Sequence, residues 1–284
     1  MTRLLVLDFD GTLTDAEEEG RPFREGYLVD LSMLCGRSLD ETRALADGFE
    51  EEVKRHVGSY GWVFGGEIVA PAAVDPYLRI MPVARKVFDA CGVFMNHDDR
   101  DRLLDNILYK YNYGKSAIAF KEGAREFLTS REGTETYVIT NSHTEPVRNK
   151  VRALAVEGGD ASELDWLVER VYGSAKKYVV DPSWDRLPES MSLPDLSRPV
   201  LLRRRLYFEA LDRLRANAGL GWEDVVVVGD IFELDLCVPL ALGARVGLFA
   251  NEFTPSYEVE FLANHPRGVI IESMAQISDF VDAG

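Results

Sequence analysis

No apolar run in this 284-residue chain approaches the roughly 18 residues a membrane-crossing helix needs. Cysteine is scarce. Cys35, Cys91 and Cys237 are the only three, too few and too scattered for a disulfide framework or a zinc site. They read as buried free thiols in a reducing compartment. Basic residues are outnumbered, 32 against 48 acids, giving a formal charge of −16. Such a balance disfavours a nucleic-acid or anionic-membrane partner, either of which requires a clustered positive field. The chain runs directly into a strand without a signal-peptide pattern, so a cytoplasmic protein is expected.

What remains is an ordinary globular composition, 46% hydrophobic and 28% charged, long enough for one large domain or two modest ones. Short strand candidates recur at Leu4–Leu7, Tyr137–Ile139, Val168–Tyr172, Val225–Val228, Val246–Phe249 and Val269–Ile271. Helical patterns separate most of them, at Glu122–Ser130, Glu145–Leu154, Leu202–Ala216 and Pro255–Ala263. Strands alternating with helices predict a doubly wound parallel α/β sheet, whose ligands lie beyond the C-terminal strand ends. Residues 16–118 break the rhythm. Ser38 to Glu41 form a capping box opening one helix, Pro82 opens a second, and a third follows Asn96, with no convincing strand between them. We expect an inserted helical domain over 16–118 and a sheet domain over 1–15 and 119–284. The Pro-, Ser- and Asp-rich stretch 181–199 reads as a long loop.

The first strand candidate runs into Asp8-Phe9-Asp10-Gly11-Thr12-Leu13-Thr14-Asp15. Side chains alternate along a strand, so Asp8 and Asp10 emerge together while Phe9 turns away. Two carboxylates one pleat apart repel, and the pair calls for a cation or a shared proton. Gly11 permits a sharp turn close to a ligand. A second strand ends in Thr140-Asn141-Ser142, which alone reads equally as a helix cap. A third, four valines long, ends in Gly229-Asp230 with Asp235 five residues on.

Asp-x-Asp-Gly-Thr-Leu after an apolar strand resembles the first motif of the haloacid-dehalogenase-like hydrolases. The strand ending in Thr140 resembles their second, and Gly229-Asp230-x4-Asp235 their fourth. The resemblance implies a Rossmann-type sheet with a mobile helical cap, hinged near 16–26 and 113–120. It implies Asp8 as a nucleophile that forms an aspartyl-phosphate. Asp10 would be general acid to the leaving alkoxide and then base to water, starting protonated. Halide departure needs no such acid, so Asp10 favours a phosphate ester. Thr140 and Asn141 would contact the phosphoryl group. Mg2+ would be held by Asp8, the Asp10 backbone carbonyl and Asp230, with Asp235 as a ligand or just behind. The third motif, a basic residue beside the nucleophile, departs from the family pattern: the helix after Arg198 holds no lysine. Lys176 or Lys177 is preferred, with Arg203 as the alternative, and two or more of Arg203 to Arg205 are expected on a solvated face.

The implied protein is a Mg2+-dependent phosphatase of a small phosphorylated metabolite, monomeric or homodimeric. The alternatives are a phosphomutase of the same superfamily and a catalytically weak phosphate-binding or regulatory protein. In the insertion, Arg21, Arg24 and the aromatics Tyr60, Trp62 and Phe64 are candidates for substrate contact, against plainer readings as surface charge and packing. His143 is expected at a helix start, and Asp98, Asp99 and Asp101 as helix N-terminal acids.

Overall fold

The computed structural model describes residues 3–112 and 118–282. In chain order the first elements are β1 (Leu4–Leu7), α1 (Ala16–Cys35), α2 (Leu39–Arg55), β2 (Gly61–Phe64), β3 (Glu67–Pro71), α3 (Pro76–Cys91), α4 (His97–Asn112), α5 (Ala124–Ser130), β4 (Glu135–Ile139), α6 (Thr144–Glu157) and α7 (Asp165–Val168). There follow β5 (Val171–Tyr172), β6 (Ser190–Met191), β7 (Val200–Leu201), α8 (Arg205–Asn217), β8 (Val225–Gly229), α9 (Cys237–Leu242), β9 (Arg245–Phe249), α10 (Ser256–Ala263), β10 (Gly268–Ile271) and α11 (Met274–Asp282). Two compact units result. One is Met1–Asp15, Val63–Ala70 and Phe120–Gly284; the other is Ala16–Trp62 and Pro71–Ala119. Among the described residues no helix is long and apolar enough to cross a membrane.

The first unit is built on a six-stranded parallel sheet in the order β10-β9-β8-β1-β4-β5. β1 lies centrally, with Leu7 opposite Val138 of β4 and Val228 of β8. All four β1 residues are buried, as a parallel strand covered on both faces requires. On one face Leu5, Leu7, Val226 and Val228 pack with Phe127 and Leu128 of α5, Val147 and Val151 of α6, and Ile277 of α11. Three adjacent strands thus deliver their C-terminal ends side by side, carrying Asp8, Thr140 and Asp230.

The second unit is helical, with Phe23, Tyr27, Leu31, Val83, Val87, Phe88 and Leu104 at its core. Ser38 makes the expected capping box with Glu41, and the Asn96 side chain accepts from Asp99 N–H at the start of α4. Asp98 lies in that first turn, while Asp99 and Asp101 pair with Arg102 and Arg85.

Several expectations are corrected. Residues 16–26 are not irregular but form the first part of the 20-residue α1, and the two units divide between Asp15 and Ala16. Pro22 sits inside that helix as its seventh residue, where it removes the N–H that would bond the Glu18 carbonyl. Residues 113–117 of the other expected hinge lie outside the described residues. Pro82 lies within α3 and does not open it. Asp75 caps that helix instead, accepting from Tyr77 and Leu78 N–H, and Pro76 follows at its start. A hairpin, β2 with β3, interrupts the helices; its residues Val63–Ala70 group with the sheet unit. Val168 belongs to α7, leaving β5 only two residues long. Leu202 and Arg203 precede α8 and are not helical. Loop 181–199 is mostly irregular, with Met191 of β6 paired to Val200 of β7.

Of the three arginines before and at the start of α8, Arg205 is exposed and pairs with Glu209. Arg203 is spent on the Pro182 and Leu187 carbonyls. Arg204 is fully buried, donating to the carbonyls of Lys177 (2.7 Å), Val69 (2.8 Å) and Leu201 (2.9 Å). It ties the segment that carries Lys177 to the hairpin and to β7. Arg204→Met leaves three carbonyls without this donor, and should lower the urea-unfolding free energy by about 3 kcal/mol; a loss within about 0.5 kcal/mol would show the guanidinium is not a structural tie.

Candidate active site

The chain leaves β1 still hydrogen-bonded to its neighbour, with Asp8 N–H donating to the Val228 carbonyl at 2.9 Å. Phe9 is fully buried and meets Phe120 edge-on at 5.9 Å. Its carbonyl accepts from Leu13 and Thr14 N–H, which closes the turn. Gly11 has φ +81°, and a Cβ there would lie 2.0 Å from Asp230 Oδ2. Glycine is therefore required twice at this position, for its backbone angle and for the approach of the carboxylate.

Asp8, Asp230 and Asp235 are buried, and each offers a carboxylate oxygen within 4.8 Å of the others. Asp235 is held by Ile231 N–H at 3.1 Å through a wide turn over Phe232–Leu236. Lys177 reaches into this group: Nζ donates to Asp8 Oδ1 at 2.6 Å and Asp235 Oδ1 at 2.8 Å. The Tyr207 ring lies 5.5 Å from that ammonium, and its hydroxyl donates to the Asp235 carbonyl.

Burial pushes the Asp8 carboxyl up from 3.8 to about 8; Lys177 opposes the shift, and Asp235 and Asp10 add to it. Burial also works against the charge on Lys177, but Asp235 and Asp8 outweigh it and move its pKa upward. Three buried carboxylates around one ammonium leave excess negative charge in low dielectric, a state that a hard cation with oxygen ligands relieves. The donor set therefore fits a magnesium ion held by Asp8, Asp230 and Asp235.

Asp10 faces elsewhere. Its Oδ2 accepts from Ser142 Oγ at 2.7 Å and Thr140 Oγ1 at 3.3 Å, and Lys150 Nζ lies 3.6 Å from Oδ1. Ser142 and Lys150 were not among the expected site residues. A hydroxyl two residues beyond Thr140 was the available signal for Ser142. Lys150 sits on α6 between the buried Val147 and Val151, a position that periodicity alone does not mark as functional. Thr140 is buried and accepts from Ser142 N–H at 3.0 Å.

Asn141 Oδ1 accepts from Lys177 N–H at 2.8 Å, fixing the backbone that carries the ammonium. The connection is reinforced where Ala175 N–H meets the Thr140 carbonyl and Ser174 N–H meets the Ser142 carbonyl. Lys176, with φ +51°, is exposed and lines a cavity of about 390 Å³ with Tyr172, Ser174 and Arg213. Of the two adjacent lysines, only Lys177 meets the carboxylates.

The other candidates have contacts of their own. Arg203 holds loop carbonyls, as described. His143 precedes α6 and pairs with Ser174 Oγ at 3.1 Å. Arg24 is engaged by Glu50 and Asp47 within the helical unit, where Arg21 is exposed. Tyr60 donates to Glu52, Trp62 is half-buried in β2, and Phe64 packs on Tyr178.

No protein-family model matches the chain, and no curated protein does. Solved structures do. A protein named YfnB from Bacillus subtilis, described as a HAD-hydrolase bound to magnesium, is 13% identical; the match covers 99% of each chain with a TM-score of 0.53. A conserved haloacid dehalogenase-like protein of unknown function from Agrobacterium tumefaciens is 16% identical over 100% of this chain and 99% of that one, with a TM-score of 0.52. A predicted phosphoglycolate phosphatase from Haemophilus somnus is 15% identical, covering 98% and 97%, again with a TM-score of 0.52.

The upward displacement of Asp8 has a measurable sign. Between pH 3.8 and about 8 the metal-free folded protein keeps a proton that the unfolded chain has released. Asp8 therefore makes stability fall as pH rises through that window, by up to about 1.4 kcal/mol per pH unit. In EDTA, the stability of Asp8→Asn relative to the wild type should rise from pH 5 to pH 8 in urea titrations. A pH-independent difference would contradict the displacement.

Proposed function

We propose that this chain, which has the haloacid-dehalogenase-like fold, is a magnesium-dependent phosphatase of a small phosphorylated metabolite. The observation that carries this reading is the Lys177 ammonium between Asp8 and Asp235, beside Asp230. A phosphoryl group needs an in-line nucleophile and fixed positive charge near its oxygens. Asp8 supplies the first and Lys177 part of the second. Magnesium bound by the three aspartates would supply the remaining charge.

Asp8 attacks phosphorus through a carboxylate oxygen, the ester oxygen leaves, and an aspartyl-phosphate forms. Asp10 gives its proton to the departing alkoxide and then takes one from the water that hydrolyses the intermediate. Ser142 and Thr140 hold its carboxyl in place through Oδ2, and Lys150 approaches the other oxygen. In this reading the Thr140 hydroxyl also serves a phosphoryl oxygen. An ammonium in contact with the nucleophile supports turnover rather than simple phosphate binding. An acid at Asp10 supports an ester, whose alkoxide must be protonated, over a haloacid.

With magnesium, the protein should hydrolyse 4-nitrophenyl phosphate and at least one member of a phosphorylated-metabolite panel. Asp8→Asn should lower kcat by about 10³-fold or more, and Ser142→Ala by about tenfold through misplacement of Asp10. Absence of phosphate release across the panel, with magnesium still raising the melting temperature, would favour a binding protein. Isomerisation of a sugar phosphate without release would favour a mutase.

A further inference from the structure

Helix α8 presents a cationic and aromatic face that the chemistry at the strand ends does not use. Two cavities lie against it. One, of about 390 Å³, is lined by Tyr172 and Lys176; the other, of about 350 Å³, by Trp184 and Arg186. Glu209 and Arg213, one helical turn apart on α8, line both, so the two cavities adjoin. Each falls within the roughly 300–1,000 Å³ typical of small-ligand pockets.

Charge in this groove runs against the rest of the chain, whose formal charge is −16. The two acids that line it are already neutralised: Glu209 Oε1 accepts from Arg205 at 2.8 Å, and Asp212 pairs with Arg215 at 2.7 Å. Lys176, Arg186 and Arg213 are exposed, and among the described residues no carboxylate pairs with them. Both guanidiniums lie over rings instead, Arg213 at 5.3 Å from Tyr172 and Arg186 at 5.4 Å from Phe208. Stacking orients a guanidinium while leaving its N–H donors available, the state in which arginine meets phosphate. Lys176 takes a left-handed backbone angle, φ +51°, and lines the cavity while the adjacent Lys177 turns to the carboxylates.

The other end of the groove is aromatic. Trp184, half-buried, packs on Phe208 at 4.9 Å, and Phe208 continues to Trp222 at 6.1 Å. An indole braced in this way offers a stacking surface to a flat ring. Between the two ends, Glu209 is engaged through Oε1, and its second oxygen is an acceptor suited to a hydroxyl.

We propose that this groove binds a nucleoside polyphosphate, with the base on Trp184 beside Arg186, the ribose hydroxyls at Glu209, and the phosphates at Arg213 and Lys176. A nucleic acid is disfavoured, because a long polyanion would run onto the acidic remainder of the surface. The site is independent of the phosphatase reading.

The test is titration calorimetry of the full-length protein in EDTA, so that no magnesium draws nucleotide to the three aspartates. ATP should bind saturably, and about tenfold more tightly than inorganic tripolyphosphate because of its base and ribose. Arg213→Ala and Lys176→Ala should each weaken ATP by about tenfold, and Trp184→Ala should erase the preference over tripolyphosphate. Asp8→Asn should leave the ATP affinity unchanged, which separates this site from the one at the strand ends. No saturation below about 1 mM ATP, tripolyphosphate binding as tightly as ATP, an affinity untouched by Arg213→Ala, or loss of binding in Asp8→Asn would overturn the proposal. The comparison of ATP with tripolyphosphate uses the unaltered protein, so a destabilised Trp184 variant does not obscure the result.

Discussion

Everything around the strand ends of the sheet unit is organised by one ammonium between two carboxylates. Lys177 Nζ lies 2.6 Å from Asp8 and 2.8 Å from Asp235, buried where an unpaired charge would be prohibitive. With Asp230 beside them, three acids share one base, and the ionised cluster would carry two negative charges too many. A phosphate ester would add to that excess. A divalent cation is the economical answer, because the same oxygens that repel one another become its ligands. The raised Asp8 carboxyl expresses the same constraint when no such cation is present.

Much of the surrounding structure holds that ammonium in place. Arg204 clamps the Lys177 carbonyl, and Asn141 the Lys177 N–H. Tyr207 packs near the ammonium and supports Asp235 from behind. Gly11 admits the Asp230 carboxylate where a side chain would exclude it. Asp10 is held apart from this cluster by hydroxyls of the β4 end, so two neighbouring aspartates on one strand end acquire different surroundings and, in the proposed chemistry, different tasks.

How much of this was legible follows from which interactions are local. β1, β4, β8, β9 and β10 were readable because a short, fully apolar run followed by a turn has few alternatives in a parallel sheet. Asp8, Thr140 and Asp230 were legible because each follows directly on such a run, and Asp235 because of its spacing from Gly229-Asp230. The cation was not. Lys177 and Lys176 are adjacent and chemically alike, and only long-range bonds from Asn141 and Arg204 decide which one turns inward. The insertion misled for a related reason. α1 carries Pro22 and a string of acids that weaken its helical pattern, and tertiary packing of Phe23, Tyr27, Leu28 and Leu31 stabilises it. The β2–β3 hairpin is half exposed and short, with aromatic residues that also suit a loop.

The central claim is that Asp8 is a phosphoryl acceptor flanked by Lys177 and a metal held by Asp8, Asp230 and Asp235. Its most direct measurement is a crystal structure grown with magnesium and beryllium fluoride, a stable mimic of an aspartyl-phosphate. The account predicts a trifluoroberyllate on an Asp8 carboxylate oxygen, a magnesium ion bound by the three aspartates, and the Lys177 ammonium turned to a fluorine. An Asp8 side chain still free of fluoride, or an adduct on Asp10, would contradict it.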